Sequence, residues 1–362
     1  MAFHKSKEKK LKNVASAAQI DMGIQSEQNI VVKTVLRIPE LTNTILFFAR
    51  RKQPESVVSQ LGSVSRLFYS LTNPQRITEK LLVHTAHGCE ERVKKLFELT
   101  PFSHIHYLAE RGDVTDYSGR EFFHISAFQY ALWAMDIHML NLMLDCLQNT
   151  AYTKGGYKIA EELRMQLLEQ YDEVMQVGIC YTLDGVEIKG EHHFDFQPLI
   201  NAIHHFSAGF RLWNWVQRAQ HWINGVGREQ LRIPAHVAQE YCRQDRAFYP
   251  CPKFNEEYLP RDLEFYNWRT RAIESWWPKE GQACIGHDFA MLRSTHTRVM
   301  TVGAGIQQHI GLTNAGMNAQ HDANALAGLS QTRIKEVACL RERLSTPLKK
   351  AKHSPVIKCS YL

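Results

Sequence analysis

Long apolar runs are missing from this 362-residue chain. Its hydrophobic stretches are cut by charge within a few residues, far short of the ~20 that a membrane-spanning helix needs. The N-terminus carries no apolar core of the kind a secretory leader requires. Paired cysteine spacing is absent as well: the eight cysteines are scattered, which excludes a disulfide framework and fits reduced thiols in a cytosolic compartment. No phosphate loop, dinucleotide fingerprint or kinase signature is present, so the commonest nucleotide-dependent chemistries are excluded and no cofactor is expected. Neither sign of charge dominates the body. The net +6 is concentrated at the ends, in Lys5, Lys7, Lys9, Lys10 and Lys12 and in Lys349, Lys350, Lys352 and Lys358. Such ends attract anions or stay solvated, and no nucleic-acid partner is expected.

With 44% hydrophobic and 10% aromatic residues, the chain can bury a core of two or three domains. The strongest pattern is Ser126–Asp145. Apolar residues recur at Phe128, Ala131, Leu132 and Ala134, then at Ile137, Leu140, Met143 and Leu144, with the spacing of two buried helices. A helix pair of this kind needs neighbours to cover it. Two other stretches share the register: Glu79–His84 with Gly88 and Val93–Phe97, and Gln197–Ala202. All three resemble degenerate ankyrin repeats. Their equivalent positions, Leu81, Phe128 and Leu199, are spaced unevenly and wider than the ~33 residues of a regular array, which implies long insertions. The same register is open to any amphipathic helix pair.

Before these units lies a compact helical stretch over 29–75. Ile38-Pro39-Glu40-Leu41 opens it, Ile45-Leu46 is an apolar pair, Pro54 breaks it, and Val57–Tyr69 forms a second helix ending in Val64-Ser65-Arg66-Leu67-Phe68. These residues resemble an F-box, with Ile38 in place of the usual Leu and a basic connector, Ala49–Gln53. An ordinary helical hairpin fits them too. Asn73-Pro74 is expected to close the module.

Elsewhere, Lys154-Gly155-Gly156 precedes a charged helix over about 157–177, with Ile159, Leu163, Leu167 and Leu168 inward. Ile179–Leu183 and Val186–Lys189 flank Asp184-Gly185, the signature of a two-residue β-hairpin turn. Phe206, Phe210, Trp213, Trp215 and Trp222 form an aromatic stripe that reads as core. The expected architecture is mainly α: a basic disordered tail (1–28), an F-box-like helical head (29–75), degenerate ankyrin-like repeats with a hairpin insertion at about 178–190 (76–224), and a loop-rich extension wrapped on them (225–300). A Gly/Ala-rich segment with a terminal helix (301–345) and a basic tail (346–362) complete the chain.

For chemistry, Cys284 and His287 have C-x-x-H spacing, with Cys242 and Cys251 upstream as further metal-type ligands. A cysteine nucleophile would pair Cys242 with His236, or Cys284 with His287 and Asp288. His192-His193 and His204-His205 are adjacent in sequence and so do not face one site on a helix. Structural thiols are the default reading, and no catalytic or metal-binding residue is expected. At the end of the sequence, Cys359-Ser360-Tyr361-Leu362 fits a prenylation box beside lysines, although Tyr361 is a poor fit for its aliphatic position.

Together the F-box-like head, the ankyrin-like units and the lipidation box resemble the eukaryotic-like effectors that intracellular bacteria deliver through a type IV secretion system. That resemblance implies a binding scaffold in the host cytoplasm. Ile38, Pro39, Leu41, Ile45, Leu46, Val64 and Phe68 would contact the linker subunit of a cullin ubiquitin ligase, and Cys359 would anchor the protein to a host membrane. The alternative reading is a cysteine-dependent hydrolase or transferase with its site in 178–300.

Overall fold

A computed structural model describes residues 66–99, 104–267, 270–278, 282–294, 300–303 and 308–350. The chain divides into two compact units, Met1–Arg76 and Ile77–Leu362. Of the first, only residues 66–76 are described, as the opening turns of helix α1 (Arg66–Ala86). Ile38, Pro39, Leu41, Ile45, Leu46 and Val64 lie outside the described residues, and Phe68 falls in the first turn of α1. The helix runs through Asn73-Pro74, where a boundary is expected from sequence.

In the second unit, α1 turns at Gly88, whose φ of +64° places it in the left-handed region, into α2 (Glu90–Leu99). A 3-10 turn (Ile105–Leu108) leads to β1 (Arg111–Thr115) and β2 (Glu121–Ser126). Helices α3 (Ala127–Ala134), α4 (Ile137–Tyr152) and α5 (Gly156–Val177) follow. Local chemistry sets the α3 boundaries. Ser126 Oγ accepts from the Gln129 N–H at 3.0 Å, while Gln129 Oε1 accepts from the Ser126 N–H at 3.2 Å, a reciprocal cap. Met135 then takes a left-handed conformation, and Asp136 caps α4 by accepting from the Met139 N–H. Every residue of α3 is buried.

The hairpin β3 (Ile179–Leu183) and β4 (Val186–Glu191) turns on Asp184 and Gly185, both at positive φ. It is no isolated insertion, because β3 pairs with β2 and the four strands form one antiparallel sheet in the order β1-β2-β3-β4. Val114, Phe122, Ile125, Ile179 and Tyr181 face the core, where Phe122, Tyr130, Trp133 and Tyr181 make edge and tilted ring contacts of 4.9–5.5 Å.

Beyond the sheet run α6 (Gln197–Gly209), α7 (Trp215–Gln220), a π-helical turn (His221–Gly227), α8 (Arg228–Leu231) and the wholly buried α9 (Ala235–Cys242). Two more antiparallel hairpins follow, β5 (Glu264–Asn267) with β6 (Ala272–Ser275) and β7 (Phe289–Leu292) with β8 (Met300–Gly303). The last described element is α10 (Gln308–Ser345).

The fold is therefore mixed α and β, with three antiparallel sheets among the described residues, and it is not a mainly α stack of ankyrin-like repeats. The helix pairs do exist, but the insertions between them are the sheet itself. β1 and β2 occupy the interval between the first two pairs, and α5, β3 and β4 fill the next. Each pair is covered by strands and long helices rather than by the next repeat. The Gly/Ala-rich segment is not separate from the terminal helix either. Leu312, Ala315, Ala319, Ala323 and Leu326 form a buried stripe along α10, and small residues there admit close neighbours: a Cβ on Gly316 would lie 2.6 Å from the Phe210 ring.

Candidate functional site

The polar side chains that sequence proximity offers as chemistry are kept apart. His236 and Cys242 both lie on α9, six residues apart, so their side chains leave the helix axis about 120° from each other. Burial pushes the His236 imidazole down to about 3, although Asp136 pulls the other way, and neither ring nitrogen has a partner. Burial likewise pushes the Cys242 thiol well above its usual range, with Asp262 and Glu264 adding to the rise against Arg293. A reactive thiolate needs an electropositive, partly open setting. Cys242 has the reverse.

The other cysteines are equally unassembled. In the 284–288 turn the Asp288 carboxylate accepts from the Cys284 N–H at 2.8 Å, and Cys284 Sγ donates to the Ile285 carbonyl. His287 is 85% exposed and turned toward Asp288 at 3.4 Å. Cys251 is exposed, with its thiol near the Asn324 carbonyl of α10. Among the described residues no group of three or more His, Cys, Asp or Glu is arranged to hold a metal ion. His192 and His193 each approach a backbone carbonyl, and His204 meets Gln320 while His205 turns to Trp213 and His221.

A cavity of about 280 Å³ opens beside Cys242 and is lined also by Asp262, Glu264, Tyr266 and Ile273. Phe265 of β5 is buried and also lines it, and the carboxylates of Asp262 and Glu264 give it its charge. The cavity is acidic.

The charged residues that sequence reasoning missed form two hubs. In the first, Arg261 donates to both carboxylate oxygens of Asp136 at 2.8 and 3.0 Å, to Glu90 at 2.8 Å and to Gln239 Oε1 at 2.9 Å. Gln239 donates onward to the Gly88 carbonyl, so one guanidinium ties the α1–α2 turn, the α4 cap and α9. Burial works to raise the Asp136 pKa, but Arg261 outweighs it and the carboxyl is held well below the usual range. In the second hub, the wholly buried Glu240 meets Arg246 at 2.5 Å, Arg333 at 3.5 Å and Arg243 at 3.7 Å. Asp245, Glu256 and Glu336 balance these cations from outside. Arg333 thereby joins α10 to α9. Arg261–Asp136 and Arg333–Glu240 join residues 90 or more apart and give no local signal, whereas Arg243 and Arg246 lie within six residues of Glu240.

The aromatic stripe is half core, half surface. Phe206 and Trp222 are buried with their rings 4.7 Å apart. Trp213 stacks on His221 at 3.7 Å, Trp215 stacks on His309 of α10 at 4.2 Å, and the Arg218 guanidinium lies over both Phe210 and Trp215. These contacts form a partly exposed face where α6, α7 and α10 meet.

Residues 198–344 match the family model described as the CBUA0006 C-terminal domain. The chain is similar over 81% of its length to the Coxiella burnetii protein CBUA0006, described as uncharacterized: the two are 31% identical over 314 residues, which cover 85% of the relative. The chain belongs to the CBUA0006 family. No solved structure matches it. The matched C-terminal domain of the CBUA0006 family starts in α6 and ends in α10, so it contains the second ionic hub, the acidic cavity and the stacked aromatic face. Neither relationship carries an F-box or ankyrin description.

Proposed function

We propose that this protein is a bacterial effector acting as a protein-binding scaffold in the host cytoplasm, delivered by a type IV secretion system. Its relationship over most of its length to the Coxiella burnetii protein CBUA0006 carries the reading. In this reading the F-box-like segment recruits the linker subunit of a cullin ubiquitin ligase through Ile38, Pro39, Leu41, Ile45, Leu46, Val64 and Phe68. The remainder holds the target, and a prenyl group on Cys359 with its neighbouring lysines fixes the assembly on a membrane. The disposition of the buried polar groups supports a scaffold over a cysteine enzyme: the guanidinium and carboxylate pairs bind elements to each other, and the Cys242 thiol is held protonated among carboxylates.

The deciding experiment compares the tagged full chain with Leu41→Asp in human cells and measures recovery of the linker subunit and cullin. Co-purification with the wild type and loss with the variant is expected. Absence of both proteins from the wild-type complex would remove the adaptor role. Translocation of a reporter fusion that persists without the secretion system would remove the effector role.

A further inference from the structure

We propose that the face formed by the end of α6, α7 and the first turns of α10 docks directly on an anionic lipid bilayer, independently of the C-terminal cysteine and of the effector reading. The first observation is charge. Between Asp195 and Glu229, and again between Asp288 and Asp322, the sequence contains no acidic residue, although the chain as a whole has 37 in 362. These two stretches pack on each other through Gly316 against Phe210 and through Trp215 against His309. The face they build carries the charge of Arg211 and Arg218, uncompensated by any carboxylate of its own segments.

The second observation is what projects from it. Leu212 is 86% exposed, Val216 66%, Ile310 72% and Met317 66%. Leu212 and Val216 flank the two tryptophans in sequence, Ile310 follows the stacked His309, and Met317 follows Gly316. Exposed aliphatic side chains beside interfacial tryptophans and arginines are the composition of a surface that inserts shallowly among acidic headgroups.

Other occupants fit less well. Single-stranded nucleic acid needs open ring faces for base stacking, and here Trp213 and Trp215 are already stacked on imidazoles, with Arg218 over Trp215. A second copy joined face to face would set arginine against arginine. An acidic membrane supplies both the missing negative charge and the apolar layer.

The test uses the full chain made in bacteria, and so free of any prenyl group, sedimented with phosphatidylcholine vesicles with and without phosphatidylserine. Binding only to the acidic vesicles is expected, with a blue shift of tryptophan emission. Leu212→Asp with Val216→Asp should weaken partitioning about tenfold or more, as burial of apolar side chains in the interface requires. Ile310→Asp, on a different element, should act in the same direction. Phe123→Asp, an exposed site on β2, should leave partitioning unchanged, and circular dichroism should match the wild type in every variant. A wild type left in the supernatant overturns the proposal. Binding that the Leu212, Val216 and Ile310 variants leave intact assigns it to the lysine-rich ends and overturns it too. So does a face that captures single-stranded RNA or pairs two copies while ignoring vesicles.

Discussion

Asp322 lies fully buried in α10, one carboxylate oxygen accepting from the Arg293 N–H at 2.9 Å and the other without a partner. Burial pushes its pKa up to about 8. A carboxyl raised in the folded state holds its proton where the unfolded chain has lost it, so its stabilising effect is present at low pH and is lost as pH rises through about 8. His236 runs the other way. With its folded pKa pushed down to about 3, it contributes stability above pH ~6.5 that is lost as pH falls toward 3. Below pH ~6.5 the two oppose each other; above it Asp322 acts alone of the pair. Urea unfolding should therefore show stability falling between pH 6.5 and 8, by up to about 1.4 kcal/mol per unit. Asp322→Asn should reduce that fall and unmask a rise from pH 4 to 6.5; an unchanged profile would contradict the burial argument. Arg261 gives a larger effect. Arg261→Ala leaves Asp136 and Glu90 without their shared cation, and removing one partner of a buried pair costs about 3–5 kcal/mol, measurable as a lower denaturation midpoint at an unchanged slope. None of these residues was legible as a group. Asp136 caps α4 through a local contact, but its arginine comes from 125 residues away. His236 and Cys242 were paired only by proximity, which a helix does not respect.

At the scale of elements, legibility followed the strength of the local period. The buried pair α3–α4 and the Asp184-Gly185 hairpin were readable, because apolar spacing and turn chemistry both act over a few residues. The charged helix over 157–177 was readable as well, except that Ile159, assigned to its inner face, is 40% exposed. β1 was not readable. Its sequence Arg-Gly-Asp-Val-Thr buries a single apolar side chain, Val114, so no alternation announces a strand. β2 is not read as a strand from sequence either, so the hairpin alone gives no sign of the four-stranded sheet it joins. The first half of α10 was hidden for a different reason. Glycine weakens a helix by about 1 kcal/mol relative to alanine, so Gly311, Gly316 and Gly328 argue against one from sequence alone, yet each admits a neighbour at close range. Gly316→Ala tests which effect wins. Added propensity favours the variant, but its Cβ would press on the Phe210 ring, and overpacking costs about 1–3 kcal/mol. Net destabilisation is expected, relieved in part by Phe210→Leu; a more stable Gly316→Ala would show that Phe210 moves freely. Ser126→Ala removes the reciprocal cap of α3 and should cost about 1 kcal/mol.

For the whole molecule, the ionic hubs have a consequence for cooperativity. Arg261 joins the α1–α2 turn to α4 and α9, while Arg333 joins α9 to α10 and to the Phe254 carbonyl. Arg341 reaches back to Asp172 on α5, and Arg164 on α5 donates to the Leu344 carbonyl. The N-terminal helices and sheet are thus tied to the matched C-terminal domain by buried or bidentate contacts rather than by a flexible linker. A chain cut at the start of that domain, residues 198–350, would leave Arg261 without Asp136 and Glu90, and would strip α10 of its contacts with α5. Residues 66–350 keep every one of these pairs. The longer fragment is therefore expected to unfold in one cooperative transition, seen alike by tryptophan fluorescence and circular dichroism, whereas 198–350 should aggregate or melt without a transition. Two separate transitions in 66–350, or a cooperative 198–350, would mean that the long-range pairs decorate two independent folding units instead of making one.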